Sequence, residues 1–519
     1  MKKIFALFLA LIIINGVGVV MANENITLTY GDFYNVKDCL IVSQKVSSEG
    51  EGLGDTAVIE YQADSGRIKA VGLGSAVCKS LGKEYTVTVE KAPIALVMVN
   101  GQSNAAGDSS DYKLSPCAKG KYEGKFFVTN SMNSSADIIN TTFENARLTA
   151  IDGGRSPKAS GVWLNWSAAE ACALGAKLSD LWNMKVWVVN CAICAQIIER
   201  FNPTEANHDS YTRSVYYMKY ARKAIEDDKH YILDESKLGY FWLQGESNGF
   251  DRKNTENTMD QYMDAFMNMH NGFKQDLGIK YCGIWLVRGG VYSNNNKDFS
   301  MSGPRLAQIY MSNSNEDNYK DIYLILNTDI FKKDDSTKKY FEEKYSNEAD
   351  FKEEFGYDMP KTSLEVKPSL HYAQKGYNEL GNEAAVNINK IFKGDTKIKE
   401  AVLYDFDGNE IDKTAGLIFD LNKNQSEKYT VPMPKSIDFN AGQMLTLEAE
   451  DPSVISVDNE YFVCRAEKQG MTRLYVKCGN DIVASYKVMV LNKQPITIKG
   501  FKDFTQPVDL PFKGFINSR

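Results

Sequence analysis

Between residues 93 and 393 short apolar runs of strand length recur: Ile94–Val99, Val186–Val189, Tyr240–Leu243, Gly283–Val287 and Ile322–Leu326. Helical patterns lie among them at Ser167–Trp182 and Met259–Phe273, and Tyr372–Ile391 reads as a closing helix. A strand that is apolar at every position, rather than at alternate ones, is buried on both faces. Such strands interleaved with amphipathic helices predict an α/β domain built on a parallel sheet. In sheets of that kind ligands sit beyond the carboxyl ends of the strands. The chemistry is therefore expected in the loops that directly follow these runs.

The flanks have a different texture. From residue 23 to 92, Ala57–Tyr61, Ile68–Val71 and Tyr85–Val89 alternate β-branched and polar residues between glycine-rich turns, as short strands do. The region 396–492 reads the same way, and residues 493–519 show no periodicity. At the N-terminus, Lys2 and Lys3 precede an apolar run from Ile4 to Val20, followed by Met21-Ala22. That is the pattern of a signal peptide over residues 1–22, or of an uncleaved anchor, and it predicts a secreted or cell-surface protein. The nine cysteines are scattered, unlike a dense disulfide scaffold. Cys39 with Cys78, and Cys464 with Cys478, are placed to form bridges, although buried free thiols are the simpler expectation. A formal net charge of -7, with no basic cluster interleaved with aromatics, argues against nucleic acid as a partner.

Directly after the first central run stands Asn100-Gly101-Gln102-Ser103-Asn104. A glycine before a serine at a strand-to-helix turn lets the backbone bend tightly and presents the hydroxyl at the sheet edge. The N–H groups that follow can meet developing negative charge. A capping serine has the same local pattern. A serine nucleophile needs a base, and the chain has four histidines. His230 ends the charged run "EDDKH" and reads as a solvated helix terminus. His270 lies inside a Met-rich helix as a packing or surface residue, and His208 sits in the polar loop "NPTEANHDS". His371 alone falls in a loop just before the closing helix, where an α/β fold delivers a catalytic base. A third segment, Gln244-Gly245-Glu246-Ser247, ends another apolar run in an amide and a carboxylate. These suit an oxyanion donor and an acceptor that orients an imidazole, or equally a polar turn.

Taken in order, "GQSN", "QGES" and "LHYAQKGYNELGNEAA" resemble the sialate O-acetylesterase and acetylxylan esterase group (carbohydrate esterase family six) of the SGNH hydrolases, and "GPRLAQ" at Gly303–Gln308 fits the same group. The flanks "SGRIKAVGLGSAVCKSLGKEYTVTVE" and Ser453–Leu491 resemble bacterial immunoglobulin-like domains. The resemblance implies a three-layer α/β/α, flavodoxin-like SGNH-hydrolase domain at 93–395, flanked by all-β immunoglobulin-like domains at 23–92 and 396–492. It implies deacetylation of O-acetylated polysaccharide or glycan with no cofactor and no metal. Residue by residue, Ser103 becomes the nucleophile and His371 the base. The N–H groups of Ser103 and Cys194 and the side chain of Gln244 become the oxyanion hole, and Gln102 and Asn104 become substrate-binding residues.

Two positions depart from the pattern. Aligning "NCAICAQIIERF" with the group's "CAVGGTSI" puts Cys194 and Ala195 where two glycines are usual, so the hole requires a backbone that tolerates a Cβ there. Pro368 stands three residues before His371, where the group has an aspartate, and proline can neither accept a hydrogen bond from the imidazole nor support its charge. Glu246 is the expected substitute, since some relatives use that carboxylate in this role, with Glu365 and Asp358 as neighbours in sequence. The competing reading is an esterase-like carbohydrate-binding or adhesion protein with impaired catalysis. A lipase or thioesterase of the same superfamily fits less well, because an apolar lid segment is missing and "QGES" is present.

Overall fold

The computed structural model describes residues 23–106, 122–130, 169–249, 258–287, 302–313, 316–328, 374–393, 401–403, 411–421, 426–428, 433–434, 445–459 and 463–492. Ser103, Gln244, Glu246 and Cys194 lie among them. The signal-peptide segment, Cys117, Asp358, Glu365, Pro368 and His371, and the tail from 493, lie outside the described residues. Among the described residues no helix is long and apolar enough to cross a membrane.

The first β unit contains β1 (Asn23–Thr29), β2 (Phe33–Asn35), β3 (Leu40–Val46), β4 (Ile59–Gln62), β5 (Arg67–Ala70), β6 (Gly74–Ser80) and β7 (Lys83–Glu90). They form a four-stranded sheet, β1-β7-β6-β3, and a three-stranded sheet, β2-β5-β4. Ile26, Ile59, Ile68, Ala76 and Val87, drawn from both sheets, share one apolar cluster.

The central unit is an α/β domain. Its strands are β8 (Ala92–Gly101), β9 (Phe126–Asn130), β10 (Lys185–Asn190), β11 (Tyr231–Leu233), β12 (Gly239–Leu243), β13 (Tyr281–Leu286) and β14 (Ile322–Asn327). The sheet order is β14-β13-β12-β8-β10-β9, with β11 beside the start of β8, and every pairing is parallel. The double burial expected of these strands is visible residue by residue. Ile94, Leu96 and Met98 of β8 join one apolar cluster, with the helices Asp209–Asp227 and Met259–Leu277 and with Ala307 and Met311 of helix Ser302–Asn313. Ala95, Val97 and Val99 join the other cluster, with the helices Ala169–Trp182 and Gln374–Lys393. Burying each such aliphatic side chain contributes about 1.5–3 kcal/mol, so β8 anchors the sheet. Helix Met259–Leu277 begins at a Thr258–Gln261 capping box, whose reciprocal hydrogen bonds satisfy N–H groups that the first turn leaves open.

The short strands β9 and β11 and the helix Asp209–Asp227 are not visible in the apolar runs, because their apolar positions are too few or too mixed. After the closing helix come β15 (Ala401–Val402), β16 (Leu417–Asp420), β17 (Ser426–Lys428), β18 (Met433–Pro434), β19 (Leu445–Ala449), β20 (Ile455–Asp458), β21 (Val463–Ala466), β22 (Gly470–Cys478) and β23 (Asp481–Leu491). They pair as β16-β23-β22-β19, β17-β21-β20 and β15-β18. No disulfide joins Cys39 to Cys78 or Cys464 to Cys478.

The first β unit docks at the amino ends of the central strands. Lys185, at the start of β10 and 3% exposed, donates to Asp32 Oδ1 at 2.7 Å and to Gly124 O at 3.0 Å. Burial alone would raise the Asp32 pKa, but the Lys185 charge and hydrogen bond hold it below the usual carboxylate value. Arg67 pairs with Glu123 at 2.8 Å. His230 is not the solvated terminus its sequence suggests. Its Nε2 meets Asp55 Oδ1 at 2.7 Å, its Nδ1 meets Asp228 Oδ1 at 2.8 Å, and its ring stacks on Tyr30 at 4.1 Å. The charged run brings its own acceptor, and the β unit supplies the second. Desolvation lowers the His230 pKa, yet the two carboxylates outweigh it and the net shift is upward.

A group whose folded pKa is raised stabilises fully below its unfolded value and loses that contribution as pH rises through the folded pKa. His230→Asn should therefore cost about 1–3 kcal/mol at pH 6, the range for hydrogen bonds to charged groups. The gap from the wild-type protein should narrow between pH 6 and pH 9 in urea melts. A gap independent of pH would mean the ring is held neutral.

Candidate active site

The site follows from register. Leu243 of β12 lies opposite Gly101 of β8, and Asn190 of β10 lies opposite Val99. Three segments thus leave the sheet side by side, where the chain order reverses around β8, at the switch point that favours ligand binding. They carry Ser103, Cys194 and Gln244–Glu246.

Ser103 opens a single helical turn, Ser103–Ala106, and is 5% exposed. Gly101 makes that turn possible. Its φ is +135°, and a Cβ there would lie 2.0 Å from Leu243 O. Gln102 N donates to the same carbonyl at 3.1 Å, which locks the Ser103 turn onto the end of β12. Two matched asparagines brace the strand ends. Asn100 Oδ1 accepts from Gly101 N at 2.9 Å, and Asn190 Oδ1 accepts from Ala192 N at 3.0 Å. The repeated pattern Val99-Asn100 and Val189-Asn190 is the sequence signal of this brace.

The loop after β10 wraps the same turn. Cys191 N donates to Val99 O at 2.8 Å and Ile193 N to Gly101 O at 3.0 Å, so Cys194 follows one residue beyond a direct bond to the turn. Ala195 has φ +54°, the left-handed region. The backbone thus keeps a glycine-like conformation at one of the two departures, at a cost of about 1–2 kcal/mol for a residue with a Cβ. Cys194 has no positive φ.

Gln244 is fully buried, and its amide is engaged by the protein. Nε2 donates to Gln196 O at 3.0 Å and to Asn248 Oδ1 at 2.6 Å, while Oε1 accepts from Tyr262 OH at 2.7 Å. Both amide hydrogens are used in this rotamer, so Gln244 holds the loop containing Cys194 against β12, and donating to an oxyanion requires releasing one of them. Gln308, from the "GPRLAQ" segment, completes the brace by donating to Gln244 O at 2.6 Å and accepting from Val287 N at 2.9 Å. Gln102 is engaged at its carbonyl end, where Oε1 accepts from Ser247 N at 3.1 Å. Glu246, 1% exposed, accepts from Asn104 Nδ2 at 2.6 Å, and Asn104 Oδ1 accepts from Tyr377 OH at 3.0 Å. Asn104 is itself 1% exposed, so its carboxamide is a structural link in this arrangement. Tyr377 lies within the segment "LHYAQKGYNELGNEAA", but neither its hydroxyl bond nor that of Tyr262 is marked in the sequence, because each hydroxyl sits on a helix face that also packs.

One buried acid lies just below. Glu170 is fully buried, its Oε1 accepts from Asn190 Nδ2 at 3.2 Å, and among the described residues its Oε2 has no hydrogen-bond partner. Desolvation pushes its carboxyl well above the usual range. Asn190 Nδ2 also donates to Ala105 O at 3.0 Å, which connects Glu170 to the Ser103 helix turn.

Neither a protein-family model nor a curated protein sequence matches the chain. Similar solved structures include a protein from Arabidopsis thaliana, 15% identical over 56% of this chain and 96% of that one, with a TM-score of 0.32. Another is a carbohydrate acetylesterase from Xanthomonas citri, 12% identical over 89% of this chain and 95% of that one, with a TM-score of 0.34. Scores below 0.5 fall short of a shared fold, and the functional reading stands on this chain's own residues.

Two variants test this geometry. Gly101→Ala should lower the melting temperature or displace the Ser103 turn, because the Cβ has no room and φ is positive. Glu170 kept neutral in the fold but ionised in the unfolded chain lowers stability as pH rises above about 4.5, by up to about 1.4 kcal/mol per pH unit. Glu170→Gln should remove that slope, so its advantage over wild type in urea melts grows from pH 5 to pH 8. A constant difference would place an ionised carboxylate there.

Proposed function

We propose that the protein is an exported carbohydrate O-acetylesterase of the SGNH type, with a three-layer central domain between two immunoglobulin-like units. One observation carries the reading. The segments "GQSN", "QGES" and the Cys194 loop, far apart in sequence, leave three adjacent strand ends and are hydrogen-bonded to one another around Gly101. In the proposed course His371 takes the Ser103 proton, and Ser103 Oγ bonds to the acetyl carbonyl carbon. The N–H groups of Ser103 and Cys194 hold the oxyanion, with Gln244 as the brace of that loop. Collapse breaks the bond to the sugar oxygen, which takes the proton from the imidazolium. Water then attacks the acetyl-enzyme by the same route and releases acetate. Glu246 serves as the acceptor that orients the imidazole. The basic and apolar run over residues 1–22 supports export.

Pro368, in place of the group's aspartate, favours a second reading as an esterase-like binding protein. Acetate release from acetylated xylan and from O-acetylated sialic acid, compared with an aryl acetate, separates the two. Under the first reading Ser103→Ala lowers kcat by about 10⁴–10⁶, abolishes labelling by a serine-directed phosphonate, and activity survives a metal chelator. Carbohydrate binding without acetate release supports the second reading. Turnover retained by Ser103→Ala overturns the mechanism.

A further inference from the structure

The Asn104 carboxamide has two chemically different ends, and each has a defined partner. Nδ2 donates to the Glu246 carboxylate at 2.6 Å, and Oδ1 accepts from Tyr377 OH at 3.0 Å. All three side chains are buried, Tyr377 completely. An ionised carboxylate only accepts, so Glu246 requires the N–H end of the amide, and the Tyr377 hydroxyl, donating to Oδ1, holds the amide in that orientation. With it present, the N–H side meets the carboxylate. Without it, Oδ1 loses a buried donor and the amide is less firmly held in that orientation. Tyr377 stands on helix Gln374–Lys393, six positions after His371. That helix packs tightly on helix Ala169–Trp182, where a Cβ at Gly381 would lie 2.3 Å from Glu170 O.

We propose that Tyr377 is a positioning residue that acts through Asn104 on Glu246. It fixes the acid of the triad and ties the helix following the base to the nucleophile turn. This rests on the esterase reading above. It also gives Asn104 a role other than contact with substrate. The buried amide is a spacer between a hydroxyl and a carboxylate, carried by the residue next to the nucleophile.

The test is a double-mutant cycle on the full-length protein with an aryl acetate as substrate. Tyr377→Phe keeps the ring and its packing and removes only the hydroxyl. It should lower kcat about 10–100-fold, the size of a lost hydrogen bond coupled to a charged group, with KM unchanged within about twofold. Asn104→Ala should lower kcat similarly. If Tyr377 acts only through Asn104, adding Tyr377→Phe to Asn104→Ala costs little more. Fully additive losses, or a Tyr377→Phe effect confined to KM or to thermal stability, overturn the relay. Failure of the esterase reading shows differently, as a wild-type protein with no serine-dependent turnover.

Discussion

Because Leu243 pairs with Gly101 and Asn190 with Val99, three loops are released from the sheet at nearly one height, and every feature of the candidate site depends on that register. A one-residue slip in a pleated strand reverses which side chains face which layer. Here that would exchange Ala95, Val97 and Val99 with Ile94, Leu96 and Met98 between two differently shaped apolar layers. The core therefore enforces the register, and the register places Ser103. The close approach at Gly101 then holds the turn in place, since Leu243 O receives the N–H of Gln102 where any side chain on Gly101 would otherwise sit.

Above this apolar floor the site is held by buried amides and hydroxyls. Gln244, Asn248, Tyr262 and Gln308 satisfy one another with little surface exposed, and Asn248 also accepts from Ile198 N at 2.9 Å and donates to Glu199 at 3.0 Å. A network of this kind is costly if any member is lost, because a buried polar group left unpaired forfeits its hydration. That rigidity suits groups that must be held in place before a reaction begins. The same region breaks two local rules, with Ala195 in the left-handed region and Glu170 buried with one oxygen unpaired. Departures from local preference concentrate where a fold is shaped for function.

The first β unit meets the opposite end of the sheet. Lys185, His230, Glu123 and Gly124 all belong to the amino ends of central strands or to the turns before them, so this unit reinforces the domain without covering the carboxyl edge where Ser103 lies. Its contacts include partly buried ion pairs and the Tyr30 ring, which stacks on His230 and meets Tyr231 edge-on, and these tie the two units together.

The sequence by itself determined the class of the central domain, since runs such as Ile94–Val99 and Tyr240–Leu243, interleaved with amphipathic helices, fit a parallel sheet covered on both faces. It also pointed to Ser103, Gln244 and Glu246, because a strand's carboxyl end is where a Gly-x-Ser or Gln-Gly-Glu segment can do chemistry. Local pattern could not supply partners. His230 looked solvated because the second carboxylate that holds it, Asp55, comes from another unit 175 residues away. Nothing near Asn104 and Gln102 in the chain reveals their bonds to Tyr377 and to the Ser247 N–H. The brace formed by Tyr262 with Gln244 and Gln308 was hidden for the same reason. Periodicity reports which face of an element is apolar, whereas a hydrogen bond between distant side chains exists only once the packing of the whole sheet has brought donor and acceptor together.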